Sequence, residues 1–290
     1  MIVINTNVNA HVTMQSLARN ERAMSTSMER LGTGLRLNSA ADDAAGLQIS
    51  GRMTAQIDGL HQAIANAHDA ISMLQTTEQM MADIQSIIHR IRELAVQGTN
   101  GTNTGQDRAA IDVELQQLIA EAWRISDNTQ FNGINLGNGT IGDASGHVHF
   151  QVGTNTGQTI SVDFNQYWEL LGLPSSMTVP AYIAALKADP LDFNTQTGSQ
   201  FGISAGDLYL QTLSTVRTTI GATINRLGYS IDNLSQTLLN AKASRSRVLD
   251  ADYARETAAL ARTQIMSQAG VAMLAQANQQ PITVLQLLRA

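Results

Sequence analysis

The chain has 290 residues, no cysteine, only 14% charged and 4% aromatic residues against 43% apolar, and a formal net charge of −6. Without cysteine, disulfides and thiolate metal sites are excluded, and an acidic chain with no Lys/Arg cluster lacks the basic stripe that nucleic acid requires. So few aromatics leave little material for a thick globular core, which favours long helices packed through small side chains.

Residues 1–18 contain no Asp, Glu, Lys or Arg, and neither do residues 263–288. Chain ends are normally solvated, so uncharged ends are expected to be buried against protein in the working state. Interspersed polar residues such as Gln264, Gln268 and Gln276 break up the roughly 20-residue apolar run that a membrane span needs, so no membrane insertion is expected. The opening MIVINTNVNAHV has neither the basic nor the apolar region of a secretory signal peptide, which leaves a cytoplasmic protein or export by another route.

From Ala10 the positions Ala10, Met14, Leu17, Met24, Met28, Leu31 and Leu35 step by four and three, with Glu21 in the vacant slot, and predict a heptad seam on one helix face. That helix should weaken at Gly32 and Gly34. Ser39 with Asp42 three residues on then reads as a cap, starting a new helix near Ala40. Met53, Ile57, Leu60, Ile64, Ala67, Ile71, Leu74, Met81, Ile84, Ile88, Ile91 and Ala95 carry this second helix to Gln97 without a proline, a length typical of coiled coils and bundles. The Gly/Asn/Thr run from Gly98 to Gly105 is a turn, followed by a shorter helix over 107–125.

Beyond Asn128 the period changes. Val148, Phe150 and Val152 alternate with His149 and Gln151, the chain turns at 154–157, and Ile160, Val162 and Phe164 alternate back, predicting a β-hairpin. Residues 165–204 hold Trp168, Pro174, Pro180 and Pro190 without sustained periodicity and read as a compact cap or loop. A long helix resumes with Leu213, Val216, Ile220, Ile224, Leu227, Ile231, Leu234 and Leu238, and a last one runs from near Tyr253 towards Leu288. The expected fold is therefore mainly α: a long antiparallel helical hairpin or coiled-coil bundle with a small β-hairpin region, its N- and C-termini paired.

Catalytic chemistry finds little support. His61 and His68 lie seven apart on one helix and cannot share an ion; His147 and His149 share a strand face without a third ligand indicated by spacing. The pairs Asp42/Asp43 and Asp250/Asp252 fall at helix starts, where capping explains them. Gly32-Thr-Gly34 follows a helix and lacks the third glycine of a dinucleotide loop. Arg90-Ile-Arg92-Glu93-Leu94 reads by itself as a solvated helix face with local ion pairs. No catalytic residue, metal or cofactor is expected.

Several segments do resemble a family. VINTN near the start, ERLGTGLRLNSAADDAAGLQIS over 29–50, QTTEQ over 75–79, RIRELAVQ over 90–97, TQFNGINL over 129–136, SRSRVLDADYARE over 244–256 and the QIMSQAGVAMLAQANQ and VLQLLR stretches are similar to bacterial flagellin. The resemblance implies a non-enzymatic subunit of the flagellar filament, the extracellular helical propeller of swimming cells, secreted by type III export and self-assembling through an interface that does not close. It implies a terminal inner-tube domain (1–40 and 251–290), a long-helix core domain with the β-hairpin (41–164 and 205–250) and a short variable surface segment (165–204). Met14, Leu17, Met24, Met28, Leu31, Leu274, Leu285 and Leu288 are the expected inner-tube assembly residues. Arg90, Arg92, Leu94 and Glu114 are the expected contacts to a receptor or a neighbouring protofilament. The implied partners are further copies of the chain (a homopolymer), a filament cap protein, a hook-junction protein, a flagellin export chaperone and the vertebrate Toll-like flagellin receptor. The alternative is a hook–filament junction protein, which shares the terminal helices. A flagellin carrying a protease insertion would need an HExxH zinc motif, and the chain has none.

Overall fold

The computed structural model describes residues 6–137, 141–143, 146–164 and 194–287, with side chains described as far as Gln279. Among the described residues five helices and four short strands follow one another: α1 (Val8–Thr33), α2 (Ala44–Gly98), α3 (Gly105–Asn128), β1 (Gln130–Phe131), β2 (Ile134–Asn135), β3 (His147–Gln151), β4 (Thr159–Asp163), α4 (Gln196–Leu249) and α5 (Tyr253–Leu287). They form two compact units. The first gathers the chain up to residue 57 and from 239 onwards, the second residues 58–238.

In the first unit α1 and α5 run antiparallel, as three cross-links of descending register show. Asn7 Nδ2 donates to the Ala277 carbonyl (2.8 Å), Asn20 Nδ2 to the Thr263 carbonyl (2.7 Å) and Arg30 Nη1 to Glu256 Oε1 (3.2 Å). The seam has heptad spacing, but its phase differs from the expected one. Ala10, Thr13, Leu17, Asn20, Met24, Ser27 and Leu31 are buried or half-buried at heptad spacing along α1, so Thr13, Asn20 and Ser27 stand where Met14, Glu21 and Met28 were expected. The facing positions on α5 are Glu256, Leu260, Thr263, Ser267, Gly270, Leu274 and Ala277, equally small and polar. A Cβ added at Gly270 would lie 3.4 Å from Leu17 Cδ1, so the two helices approach closely there.

The connections out of this pair are pinned to one another. Gly34, at φ 72° in the left-handed region, ends α1 and returns its N–H to the Arg30 carbonyl. Leu35 then bridges Asp250, Arg36 N donates to the Leu249 carbonyl (2.7 Å) and Ala251 N to the Gly34 carbonyl (2.9 Å). The cap of α2 is Asp43, not Ser39. Asp43 Oδ1 accepts from Gly46 N (2.9 Å), and a side-chain carbon at Gly46 would collide with both the Asp43 carboxylate and Leu37. The Ser39–Asp42 segment is a separate turn, in which the N–H groups of Ser39 and Asn38 donate to Asp42 Oδ2 and hold that carboxyl below its ordinary pKa.

In the second unit α2 and α4 are also antiparallel, tied by Arg217 to Glu78 (2.6 Å) and Gln85 (2.5 Å) and by Arg92 to Asp207 (2.6 Å). Their facing sides, with Ala67, Ala70, Leu74, Met81, Ile88, Leu213, Val216, Ile220 and Leu227, make the main core. The β3/β4 hairpin closes over it. Val148 pairs with Val162 and Phe150 with Ile160, which turns one face apolar towards the core and leaves His147, His149, Ser161 and Asp163 on the other. Asn66 Nδ2 donates to the Gln151 carbonyl (3.1 Å), and Gly59 lets Thr154 approach α2.

Three features differ from, or add to, the sequence expectation. The β1/β2 hairpin turns on Asn132-Gly133, both at positive φ (50° and 78°), the strongest short hairpin signal in the chain and one the sequence reading passed over. Helix α3 is longer than 107–125 because Thr104 and Asp107 form a reciprocal capping box, Asp107 Oδ2 accepting from both the Thr104 N–H and hydroxyl. Helix α4 begins at Gln196, so residues 196–204 belong to a helix and not to a loop. Its first turns bury Gly198, Ser199, Gly202 and Gly206, a face so small that Ser199 sits against Gly98. Trp168, Pro174, Pro180 and Pro190 lie outside the described residues.

Candidate assembly surfaces

The α1/α5 seam takes small or polar residues at about every second position, and several large apolar residues of the two helices lie outside it. On α1, Val8, Val12, Met14 (54% exposed) and Met28 (58%) point away from α5; on α5, Ile265, Met266 (54%), Val271 and Met273 (63%) point away from α1. These eight side chains lie within helices that bury Asn20, Ser27 and Thr263, an inversion of the usual order for a soluble helix pair. Large exposed apolar side chains gathered on one helix pair are the composition expected where another protein binds.

The expected inner-tube residues therefore divide. Leu17, Met24, Leu31 and Leu274 are half-buried in the α1/α5 seam and hold the pair together. Met14 and Met28 are outside the seam, contrary to the expected heptad phase, and belong to the outer face. The side chain of Leu285, and Leu288 altogether, lie outside those described.

The second surface is on α2 and α3. Arg90 reaches across to Glu114 with Nε at 3.1 Å and Nη2 at 2.8 Å, and along its own helix to Glu93 (3.3 Å). Glu114, then Glu93, raise the pKa of this exposed guanidinium above its ordinary value. Arg92 is bound in the same manner by Asp207 of α4. Arg90, Arg92 and Glu114 are thus presented on the surface in fixed positions. Leu94 is not: it is 2% exposed, packed with Ala95, Ile111 and Leu115, and its role as a direct contact gives way to holding α2 on α3. Sequence reasoning also missed Val96, Val113, Phe201, Leu208 and Tyr229, which are large, exposed and out of phase with the core seam of their helices. Phase was the signal that would have found them.

The histidines make no centre of this importance. His147 and His149 stack with ring centroids 6.2 Å apart, and His149 Nε2 lies 3.3 Å from Asp143. Among the described residues no group of three or more His, Asp or Glu side chains converges on a point suited to a metal ion, and no helix is long and apolar enough to cross a membrane.

Residues 4–141 match the bacterial flagellin N-terminal helical region and residues 203–288 the bacterial flagellin C-terminal helical region. The chain is 43% identical over 288 residues to a flagellin of Halalkalibacterium halodurans, covering 99% of this chain and all of that one. It is 39% identical to a flagellin of Bacillus subtilis, with 99% of each covered, and 35% identical to the flagellar filament 33 kDa core protein of Treponema phagedenis, with 99% of this chain and 100% of that one covered. Among solved structures, a putative flagellar hook-associated protein of Vibrio parahaemolyticus shares the fold at a TM-score of 0.59 and 19% identity, over 72% of this chain and all of that one. With full-length identity of this order to filament proteins, and two family regions covering its helices, the chain belongs to the bacterial flagellin family, the structural subunits of the flagellar filament.

Proposed function

We propose that this filament subunit polymerises through the outer apolar face of its α1/α5 pair, each copy burying Val8, Val12, Met14, Met28, Ile265, Met266, Val271 and Met273 against neighbouring copies of the same chain. The observation that carries the reading is that eight large apolar side chains stay exposed on helices that spend seam positions on Thr13, Asn20, Ser27, Thr263 and Ser267. Each apolar side chain so buried contributes about 1.5–3 kcal/mol, enough in aggregate to offset the cost of association. The product is an extracellular homopolymer whose work is mechanical, with no reaction to catalyse.

The α2/α3 surface with Arg90, Arg92 and Glu114 serves as a lateral contact between protofilaments, and the Toll-like flagellin receptor would meet it only on free subunits. The filament cap, the hook-junction protein and an export chaperone that takes α5 before assembly are the remaining partners of this reading. Domain limits at residues 40 and 251 for the terminal part fit the Gly34–Leu37 and Asp250–Ala251 crossing. The junction-protein alternative has less behind it, since its structural likeness at 19% identity supports a shared fold alone.

Two neighbouring residues separate assembly from pairing. Met273→Asp alters the outer face and is expected to abolish elongation on filament seeds while leaving helix content unchanged. Leu274→Asp puts a carboxylate into the seam and is expected to lower helix content as well. A Met273→Asp protein that elongates at the wild-type rate would refute the reading.

A further inference from the structure

The sulfur of this chain is distributed by surface. With no cysteine, methionine is the only oxidisable sulfur present. Among the described residues the four exposed methionines, Met14, Met28, Met266 and Met273, all lie on α1 and α5, and the fully buried ones, Met73, Met80 and Met81, all lie in the core of the second unit; Met24 and Met53 are intermediate. The exposed four are also in register. Met14 and Met28 stand fourteen residues apart on α1, each directly after a seam position (Thr13, Ser27), and Met266 and Met273 stand seven apart on α5, each directly before one (Ser267, Leu274). Heptad multiples keep the members of each pair on one line of their helix.

We infer that these four methionines make assembly sensitive to peroxide, so that a free subunit oxidised at Met14, Met28, Met266 and Met273 no longer polymerises, whereas the same residues in a filament are shielded. The inference rests on the assembly reading above. In the reaction the thioether sulfur attacks one peroxide oxygen and the O–O bond breaks. Sulfur is oxidised by two electrons to the sulfoxide as the S–O bond forms, and the other oxygen leaves as water after taking up the proton. The product replaces a flexible apolar side chain with a polar, chiral one. A sulfoxide oxygen buried between copies must find a hydrogen-bond donor or lose its hydration uncompensated, and the other large side chains that the proposed assembly buries, Val8, Val12, Ile265 and Val271, are hydrocarbon and donate none. The core methionines are beyond the reach of peroxide in the folded chain, so the lesion falls on assembly and spares the fold.

The experiment treats full-length monomer with dilute hydrogen peroxide, maps added oxygen by peptide mass spectrometry, and follows elongation on filament seeds. Oxygen is expected at Met14, Met28, Met266 and Met273 well before Met73, Met80 and Met81, with elongation slowed about tenfold or more and the thermal melt of the second unit unchanged. Methionine sulfoxide reductase with a thiol reductant is expected to restore elongation. Filaments given the same peroxide are expected to keep the four residues unmodified. Replacing all four by leucine should bring the ratio of oxidised to untreated rates close to unity, whatever the variant's own rate; where that variant does not elongate, the reductase arm decides. Oxidised monomer that elongates at the untreated rate, or a fall in the melt showing that the core methionines were reached, overturns the inference. Met273→Asp distinguishes the two levels: if it blocks elongation while oxidation does not, only the peroxide inference fails, and if it elongates normally the assembly face itself is wrong.

Discussion

Asn20 is 7% exposed in the α1/α5 seam and donates to the Thr263 carbonyl at 2.7 Å, which makes it a sensitive probe of whether the seam governs assembly. Replacing it with alanine removes a buried hydrogen bond, about 0.5–1.5 kcal/mol net, together with packing atoms that bring the total to about 1–2 kcal/mol. Replacing it with aspartate keeps the shape but turns a donor into a charged acceptor facing a carbonyl oxygen, at a cost of several kcal/mol. If subunits must be paired to add to a filament, about 1.4 kcal/mol lost from pairing raises the critical concentration roughly tenfold. Measured by sedimentation after seeded growth, the critical concentrations should rank wild type below Asn20→Ala below Asn20→Asp, the last forming no polymer at accessible concentrations. An Asn20→Asp protein that polymerises like wild type would show that α1 and α5 do not pair in this register in the filament.

Leu227→Ala and Leu94→Ala remove fully buried side chains from the second unit and are each expected to cost about 2–5 kcal/mol, read as a lower thermal melt, while Arg90→Ala leaves the melt unchanged; any loss of receptor signalling by Leu94→Ala then reports folding, not contact. Gly270→Ala should raise the helix content of α5, since Ala is favoured over Gly by about 0.8–1 kcal/mol and its Cβ meets Leu17 at ordinary contact distance, whereas Gly270→Leu should separate the pair. The Asp107 carboxyl is held below its ordinary pKa by Thr104 and that of Asp42 by Ser39 and Asn38. A carboxyl depressed on folding contributes stability that is complete above its unfolded pKa, about 3.9, and is lost as pH falls below that towards the folded value. Acid unfolding of Asp42→Asn and Asp107→Asn proteins should therefore be flatter than wild type below about pH 4 and parallel to it above.

Long-range organisation was legible because it is written in periodicity: the apolar rhythm of α2 and α4 and the strict alternation of β3 and β4 each survive any reasonable phase error. The phase of α1 was not. Reading the seam by apolarity selected Met14 and Met28 over Thr13 and Ser27, a rule that fails on a helix that buries small polar residues and leaves large apolar ones exposed. Leu94 was misplaced for a different reason: its contact role was carried over from the family resemblance, whereas it stands beside Ile91 and Ala95 of the apolar seam and packs on Ile111 and Leu115. The start of α4 carried little apolar signal, because apart from Ile203 its packed positions Gly198, Ser199, Gly202 and Gly206 pack by closeness of approach and not by bulk. Asp43 outcompetes Ser39 as a cap because only it is followed by a glycine that leaves room for its carboxylate.

The polar lining of the α1/α5 seam also decides where the heat goes. Heat capacity changes track apolar area exposed to water, about 0.45 cal/K/mol for each Å². Parting the seam uncovers Thr13, Asn20, Ser27, Thr263, Ser267 and Gly270 alongside the half-buried Leu17, Met24, Leu31 and Leu274, so the pair opens with a smaller heat-capacity change than a wholly apolar seam of the same length would give. In the assembly proposed above, the valines, isoleucine and methionines outside the seam leave water when copies meet, which adds a heat-capacity change between molecules to the one carried within each molecule by the apolar core of the second unit. Contacts of that composition weaken on cooling, so growth favoured in the warm and subunit loss in the cold are built into which side of α1 the methionines occupy.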